Sequence, residues 1–156
     1  MSTPSLKIRS FHAADFECLY QMDHVCFAKG IAFSREELAF YLSHRQGIVR
    51  IAEQSGVIAG FILAGIERPS IGHMITLDVA PEYRRTGIGE TLMQSMHREF
   101  EGRRIAVSIL EVAVENKSAQ ALYKKLGYHQ IETLVGYYRG KEDAYRMAAE
   151  INSSRE

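Results

Sequence analysis

Two glycines and two arginines stand close together in Pro81-Glu82-Tyr83-Arg84-Arg85-Thr86-Gly87-Ile88-Gly89, between a strand-like run and a helical one. Glycines in such a turn let the backbone approach a ligand closely. A helix that begins there offers unpaired N–H groups and the positive end of its dipole. Arg84 and Arg85 add fixed positive charge, so the turn suits a pyrophosphate. It lacks the Gly-Lys-Ser/Thr ending of a Walker A loop and the G-x-G-x-x-G of a dinucleotide fold. A bare G-x-G also serves a plain strand-to-helix turn; the arginines and the context favour an anion site.

Glu111 offers a second kind of chemistry. It shares a face with Val107 and Ile109 in the apolar run Val107-Ser108-Ile109-Leu110-Glu111-Val112. A carboxylate so placed is expected to be partly desolvated, which raises its pKa and suits a base near neutrality. The competing reading is a strand-end salt bridge or an outward-facing edge residue. Tyr123 lies on the apolar side of a helical run, where a core aromatic is the plain interpretation. Twelve residues separate it from Glu111, a path that can return it beside the strand. Tyr137-Tyr138 fits either strand-end packing or an interface. Cys18 and Cys26 read as small buried hydrophobes. His73 reads as a satisfied core histidine, and Lys124 and Lys125 most simply as a solvated helix face, a phosphate contact by one of them being the alternative.

The elements that must carry these residues follow from periodicity and punctuation. Residues 6–10 predict a first strand and residues 15–27 a helix with Phe16, Leu19, Tyr20 and Cys26 on its apolar side. Ser34-x-x-Glu37 is a capping-box pattern opening a second helix through Leu38, Tyr41 and Leu42. Residues 48–52 and 57–66 predict a hairpin about Ser55-Gly56. A long strand at 71–79 places Ile71, His73, Ile75, Leu77 and Val79 on one face. A helix over 88–100 repeats Ile88, Leu92, Met96 and Phe100. A strand at 105–114 and a helix at 117–126 follow, the helix with Ala119, Leu122, Tyr123 and Leu126 on one face and Gly127 as its C-cap. Strands at 129–134 and 144–151 close a β-α-α-β-β-β-α-β-α-β-β order, a mixed α/β arrangement.

Composition bounds the function. The 156 residues carry 46% hydrophobic and 24% charged side chains, a globular balance expected to form a single domain over 1–156. Lys plus Arg and Asp plus Glu are both 19, so the net charge is zero. That argues against an electrostatic nucleic-acid or membrane binder. The start lacks a signal-peptide run, and the most apolar stretch, 57–66, is too short to span a bilayer. Two cysteines without a framework suit a reducing cytoplasm. The six histidines are scattered without metal-ligand spacing, so no metal is expected.

Taken together, Arg84-x-x-Gly87-x-Gly89 resembles the coenzyme A signature of the Gcn5-related N-acetyltransferases (GNAT). The preceding Leu77-Asp78-Val79-Ala80-Pro81-Glu82-Tyr83 is similar to theirs. So are Leu110-Glu111-Val112 with Asn116, and Ala121-Leu122-Tyr123-Lys124-Lys125-Leu126-Gly127-Tyr128. The resemblance implies the GNAT fold, a mixed central sheet of about seven strands flanked by about four helices. It implies direct acetyl transfer from acetyl-coenzyme A to a primary amine. The backbone of Leu77, Asp78 and Val79 would then meet the pantetheine arm. Amides of Arg84, Arg85, Thr86, Gly87, Ile88, Gly89 and Glu90 would cradle the pyrophosphate, with Glu90 itself turned to solvent, and the Asn116 side chain would touch the coenzyme. Glu111 would be the general base and Tyr123 the general acid.

Within the family the likeness is nearest to ribosomal-protein-alanine and archaeal protein N-terminal acetyltransferases, carried by the Glu111 region, Tyr137-Tyr138 and Glu142-Asp143-Ala144. It implies a protein or peptide α-amine as acceptor, a ribosomal protein among the candidates, gripped by loops 27–33 and 136–143 through Phe33, Tyr137 and Tyr138. Gly136 replaces an asparagine usual in bacterial relatives, and Phe33 precedes Ser34 without the proline sometimes found nearby. The alternatives are a small amine or lysine acceptor on the same scaffold, and a non-catalytic acetyl-coenzyme A-binding module.

Overall fold

A computed structural model describes residues 5–151. In chain order it contains β1 (Leu6–Arg9), α1 (Phe16–Cys26), α2 (Arg35–Ser43), β2 (Gly47–Gln54), β3 (Val57–Arg68) and β4 (Ile71–Val79). These are followed by α3 (Ile88–Gly102), β5 (Val107–Ala113), α4 (Lys117–Lys125), β6 (His129–Tyr138) and β7 (Glu142–Glu150), with 3₁₀ turns at Ala13–Asp15 and Pro81–Tyr83. The seven strands form one mixed sheet in the order β1-β2-β3-β4-β5-β7-β6. β4 and β5 run parallel, which requires the crossover that α3 supplies. β5 with β7, and β7 with β6, are antiparallel. This is the α/β arrangement expected from the resemblance.

The chain divides into two compact units, one of the described residues within 1–64 together with 76–96, the other of 65–75 together with those within 97–156. In the first unit, Ser34 and Glu37 form the predicted capping box: Glu37 N–H donates to Ser34 Oγ at 3.1 Å and Ser34 N–H to Glu37 Oε1 at 2.9 Å. The β2–β3 hairpin turns on Ser55 and Gly56, both at positive φ. The core of this unit includes Leu19, Leu38, Ile51, Phe61, Leu92 and Met93. α1 buries Leu19, Met22 and Asp23; its inward face therefore includes an acid that periodicity does not reveal.

β4 alternates as expected but buries the opposite face. Gly72, Met74 and Asp78 are buried, while Ile71, His73, Ile75, Leu77 and Val79 are half-buried. The reason is visible at Gly72 in the second unit, where an added Cβ would fall 2.4 Å from the Phe100 ring. The ring occupies the volume that a side chain would need, so a residue without one marks the packed side.

The second unit pairs β5 with β7 from Val107↔Glu150 to Ala113↔Ala144. Asn116 caps α4, its Oδ1 accepting from Ala119 N–H at 3.2 Å, and Gly127 follows the helix at φ 99°. The buried side of α4 is Gln120 and Tyr123 rather than the wider apolar stripe. Gln120 reaches inward because its amide donates to the Ala113 and Val114 carbonyls, at 3.1 and 2.8 Å. β6 and β7 run further than their sequence limits, pairing Tyr138 with Glu142. The expected 136–143 loop thus shrinks to 139–141, and Tyr137 and Tyr138 lie on a strand. Gly136, at φ 66°, permits the irregularity there, with its N–H donating to Asp143 Oδ1 at 2.8 Å.

Among the described residues, no helix is long and apolar enough to cross a membrane, and no group of three or more His, Cys, Asp or Glu is placed to hold a metal ion.

Candidate active site

The first unit carries the anion-type turn. β4 ends at Val79, Ala80 N–H donates to the Ala59 carbonyl at 2.8 Å, and the 3₁₀ turn leads to Arg84. Arg84 Nε donates to the Val79 carbonyl at 3.1 Å, and so does Cys26 Sγ at 3.4 Å. That carbonyl is thus engaged within the protein, and the contacts expected of residues 77–79 toward a pantetheine arm fall to the other backbone groups. Arg85 and Gly87 take φ of 63° and 88°. Among the described residues, a Cβ at Gly87 would meet no atom within 4 Å beyond its chain neighbours, so its backbone lies open on that side. Ile88 is buried and anchors the helix start, while Arg84, Arg85, Thr86 and Gly87 are exposed and Gly89 and Glu90 half-buried. Thr86 Oγ1 donates to the Tyr83 carbonyl, and Thr91 caps back on Gly87 at 2.9 Å through Oγ1. Glu90 Oε2 accepts from Gln94 at 3.3 Å, one turn along the helix and away from its N-terminus. The N–H groups at that terminus are the kind a helix leaves without internal partners.

The second unit carries Glu111. Its side chain is only 6% exposed, in a chain of charges drawn from five strands, β3 to β7. His73 Nε2 lies 2.6 Å from Glu111 Oε1, and His73 Nδ1 is bonded to Glu67. Arg146 Nε donates to Glu111 Oε2 at 2.9 Å, and its Nη1 to Glu132 at 3.1 Å. Burial alone would raise the Glu111 pKa, but His73 and Arg146 outweigh it and hold the carboxyl below its usual range. The expected upward shift is therefore reversed: desolvation is present, but two cations overcompensate it. Burial would lower His73, yet Glu111 and Glu67 raise it above an ordinary histidine. With a carboxylate on each ring nitrogen, the imidazolium form donates two hydrogen bonds.

The sequence reading placed His73 in the core; it is instead half-buried and a partner of Glu111. The signal was present in the alternation. His73 pairs with Ile109 in the parallel register, two residues from Glu111 on the same face of β5. Arg146 and Glu67 gave no comparable sign, because their roles depend on register alone.

Tyr123 is buried, its ring tilted against Tyr128 with centroids 5.9 Å apart. Tyr138 is half-buried and feels the charges of Tyr137, Glu111, Tyr123 and Glu142; burial first, then these neighbours, push its pKa well above the usual tyrosine value. Tyr137 is 45% exposed and meets Tyr138 edge-on at 5.0 Å. Asn116 Oδ1 is committed to its cap, so a ligand contact falls to its Nδ2 amide. Glu111, Tyr123 and Tyr138 thus belong to one electrostatic neighbourhood. It combines a carboxylate and imidazole that together hold a proton with phenol hydroxyls that can give one. In the first unit, Phe33 is fixed by its backbone and packs on Tyr41 at 5.5 Å.

The acetyltransferase (GNAT) family model matches residues 13–128. An N-alpha-acetyltransferase of Sulfurisphaera tokodaii is 35% identical over 123 residues, covering 71% of this chain and 74% of that protein. The crystal structure of the ribosomal-protein-S18-alanine N-acetyltransferase of Escherichia coli superposes with a TM-score of 0.87 at 27% identity, covering 97% of both chains. The fold is shared with Arabidopsis thaliana NAA60 in complex with acetyl-coenzyme A, at a TM-score of 0.83 and 21% identity over 95% of this chain and 99% of that one. An open, glycine-containing turn at the start of a helix, a buried carboxylate–imidazole cluster on neighbouring strands, and these likenesses agree: the chain belongs to the acetyltransferase (GNAT) family, as an N-acetyltransferase.

Proposed function

We propose that the protein transfers an acetyl group from acetyl-coenzyme A to the α-amine of a protein or peptide. The observation that carries this reading is the buried Glu111 carboxylate bonded to His73. The amine nitrogen attacks the thioester carbonyl, the C–S bond breaks, and the new C–N bond makes the amide. The proton leaving nitrogen passes to the Glu111–His73 pair, directly or through a water, and Tyr123 gives its hydroxyl proton to the departing thiolate. Glu111 alone, held below its usual pKa, is a weak base. Paired with a histidine pushed upward, it becomes a group able to hold a proton near neutrality.

The open turn from Arg84 to Glu90 is suited to the pyrophosphate of the coenzyme, with Asn116 and the β4 backbone as further contacts. Phe33, Tyr137 and Tyr138 are the acceptor-side residues. An α-amine, with a pKa of about 8, keeps a useful neutral fraction at neutral pH, whereas a lysine at about 10.4 keeps far less. The likeness to enzymes named for protein N-termini favours the same acceptor class, with a ribosomal protein N-terminus a candidate. The free thiols of Cys18 and Cys26 fit a reducing compartment, and we place the reaction in the cytoplasm.

The test uses one peptide, its N-terminus free or blocked, with an internal lysine in both forms. Mass spectrometry is expected to find the acetyl group on the free α-amine. Comparable acetylation of the lysine in the blocked peptide would overturn the acceptor. Release of coenzyme A with small amines alone would favour the small-molecule reading.

A further inference from the structure

Two acids of the first unit have side chains that take no part in the chemistry above, yet they are its most deeply buried charged residues: Asp23 of α1 is 1% exposed and Asp78 of β4 is 0% exposed. Each has one satisfied oxygen. Asp23 Oδ2 accepts from Phe33 N–H at 2.7 Å, and Asp78 Oδ1 accepts from Thr76 Oγ1 at 2.7 Å. The other two oxygens, Asp23 Oδ1 and Asp78 Oδ2, are buried and receive no donor among the described residues. The two carboxyls are near enough for Asp23 to act directly on the protonation of Asp78. Two ionised carboxylates so placed would repel and leave two buried acceptors unpaired, each costly to desolvate. One proton between the orphan oxygens removes both penalties.

The pair also sits at a mechanical junction. Residues 27–33 leave the end of α1 and return at Phe33. At the start of the segment, Cys26 Sγ donates to the Val79 carbonyl at 3.4 Å. At its end, Phe33 N–H is held by Asp23, which meets Asp78, while the Phe33 carbonyl lies 2.7 Å from His24 Nε2. Both ends of the segment are thus tied to consecutive residues of β4. We propose that Asp23 and Asp78 share one proton, and that this bond positions residues 27–33 to receive the acceptor peptide. They are positioning residues and touch neither substrate nor reacting atoms with their side chains. The acceptor role of the segment rests on the proposed function; the shared proton does not.

The groups facing Asp78 are Asp23, Thr76, Arg84 and Cys26. Burial first, then Asp23, raise its pKa well above the carboxylate range, and Thr76 and Arg84 only partly oppose them. Cys26 responds in the same sense: burial and the Asp78 charge push its thiol upward.

The first measurement is infrared spectroscopy of the full chain labelled with carboxyl-¹³C aspartate. At neutral pH the wild type is expected to show an isotope-shifted carboxylic-acid band that disappears in Asp78→Asn. Its absence from the folded wild type would overturn the shared proton. The second is steady-state kinetics. Asp78→Ala should raise the peptide KM about tenfold, the scale of a hydrogen bond to a charged group, with kcat changed far less. Asp78→Asn should recover most of that loss, because its amide N–H can still donate to the Asp23 carboxylate. An Asn variant that folds and is impaired as badly as Ala would also overturn the proposal. If Ala fails to fold, the infrared band and the Asn kinetics decide. If the wild type acetylates no peptide, the proposed function fails while the band still judges the proton.

Discussion

His73 Nε2 and Glu111 Oε1 are 2.6 Å apart, across the parallel pairing of β4 and β5. Neither group titrates by itself at that distance. The carboxylate favours the imidazolium and the imidazolium favours the carboxylate, so one proton leaves the pair at a pKa above that of an ordinary histidine. Below that pKa the pair already holds its proton; above it the pair is open to the one that the proposed reaction takes from the amine.

Peptide acetylation should therefore rise with pH through a group above an ordinary histidine. His73→Gln should remove that limb and lower kcat. Glu111→Gln should cost more, in the range of about 100- to 10,000-fold for a lost general base, with acetyl-coenzyme A affinity retained. A His73→Gln profile that overlays the wild type would take His73 out of the chemistry.

The same pair makes folding stability depend on pH with opposite signs. His73 has its pKa raised on folding, so its contribution is complete below the unfolded histidine value and is lost as pH rises through the folded one. Glu111 has its pKa lowered, so its contribution is present above the unfolded glutamate value and is lost as pH falls through the folded one. Chemical denaturation across pH should show that the acid limb flattens in Glu111→Gln and that the limb above the histidine range flattens in His73→Gln. Unchanged limbs in both variants would mean that the ion chain adds nothing to stability.

Gly87→Val tests the turn. A β-branched residue at φ 88° is strained by roughly 1–2 kcal/mol from the backbone alone. Among the described residues, no atom beyond the chain neighbours stands within 4 Å of the new Cβ, so the fold has room for it. A bound pyrophosphate would not. Calorimetry should find acetyl-coenzyme A affinity sharply reduced in a folded variant; undiminished affinity would place the phosphates elsewhere.

Much of this was legible in the residues themselves. The Arg84–Gly89 turn, the Ser34 cap, the hairpin at Ser55-Gly56 and the β4 limits depend on local chemistry, and local chemistry is written in order along the chain. Glu111 could be singled out because it interrupts an apolar alternation. What it touches could not, because His73 and Arg146 come to it only through strand pairing across 38 and 35 residues. Hence the direction of its pKa does not follow from the sequence: burial is readable from neighbours in sequence, but compensating charge is not. The buried face of β4 was missed for a similar reason, since Gly72 and Asp78 look like surface residues until Phe100 and Asp23 are seen beside them.

Two tyrosines compete for the role of proton donor, and their surroundings separate them. Tyr123 is buried on α4; Tyr138 lies at the end of β6, half-buried, with its pKa pushed well above an ordinary tyrosine. A departing thiolate has a conjugate pKa comparable to the about 8.5 of a cysteine, so a donor already near 10 gives its proton uphill. Raising the donor further makes the transfer harder. Tyr138 is thus suited to stay neutral and donate a hydrogen bond to a peptide carbonyl, which leaves the protonation of sulfur to Tyr123, the residue that the family resemblance implies. Tyr123→Phe keeps the ring and should lower kcat by roughly 100-fold or more, with the peptide KM little changed. Tyr138→Phe should instead raise the peptide KM by up to about tenfold, the scale of one neutral hydrogen bond, with kcat nearly preserved. Both variants should bind acetyl-coenzyme A as the wild type does. The reverse pattern, with kcat lost in Tyr138→Phe and kept in Tyr123→Phe, would exchange the two roles and return Tyr123 to the packing of α4 against Tyr128.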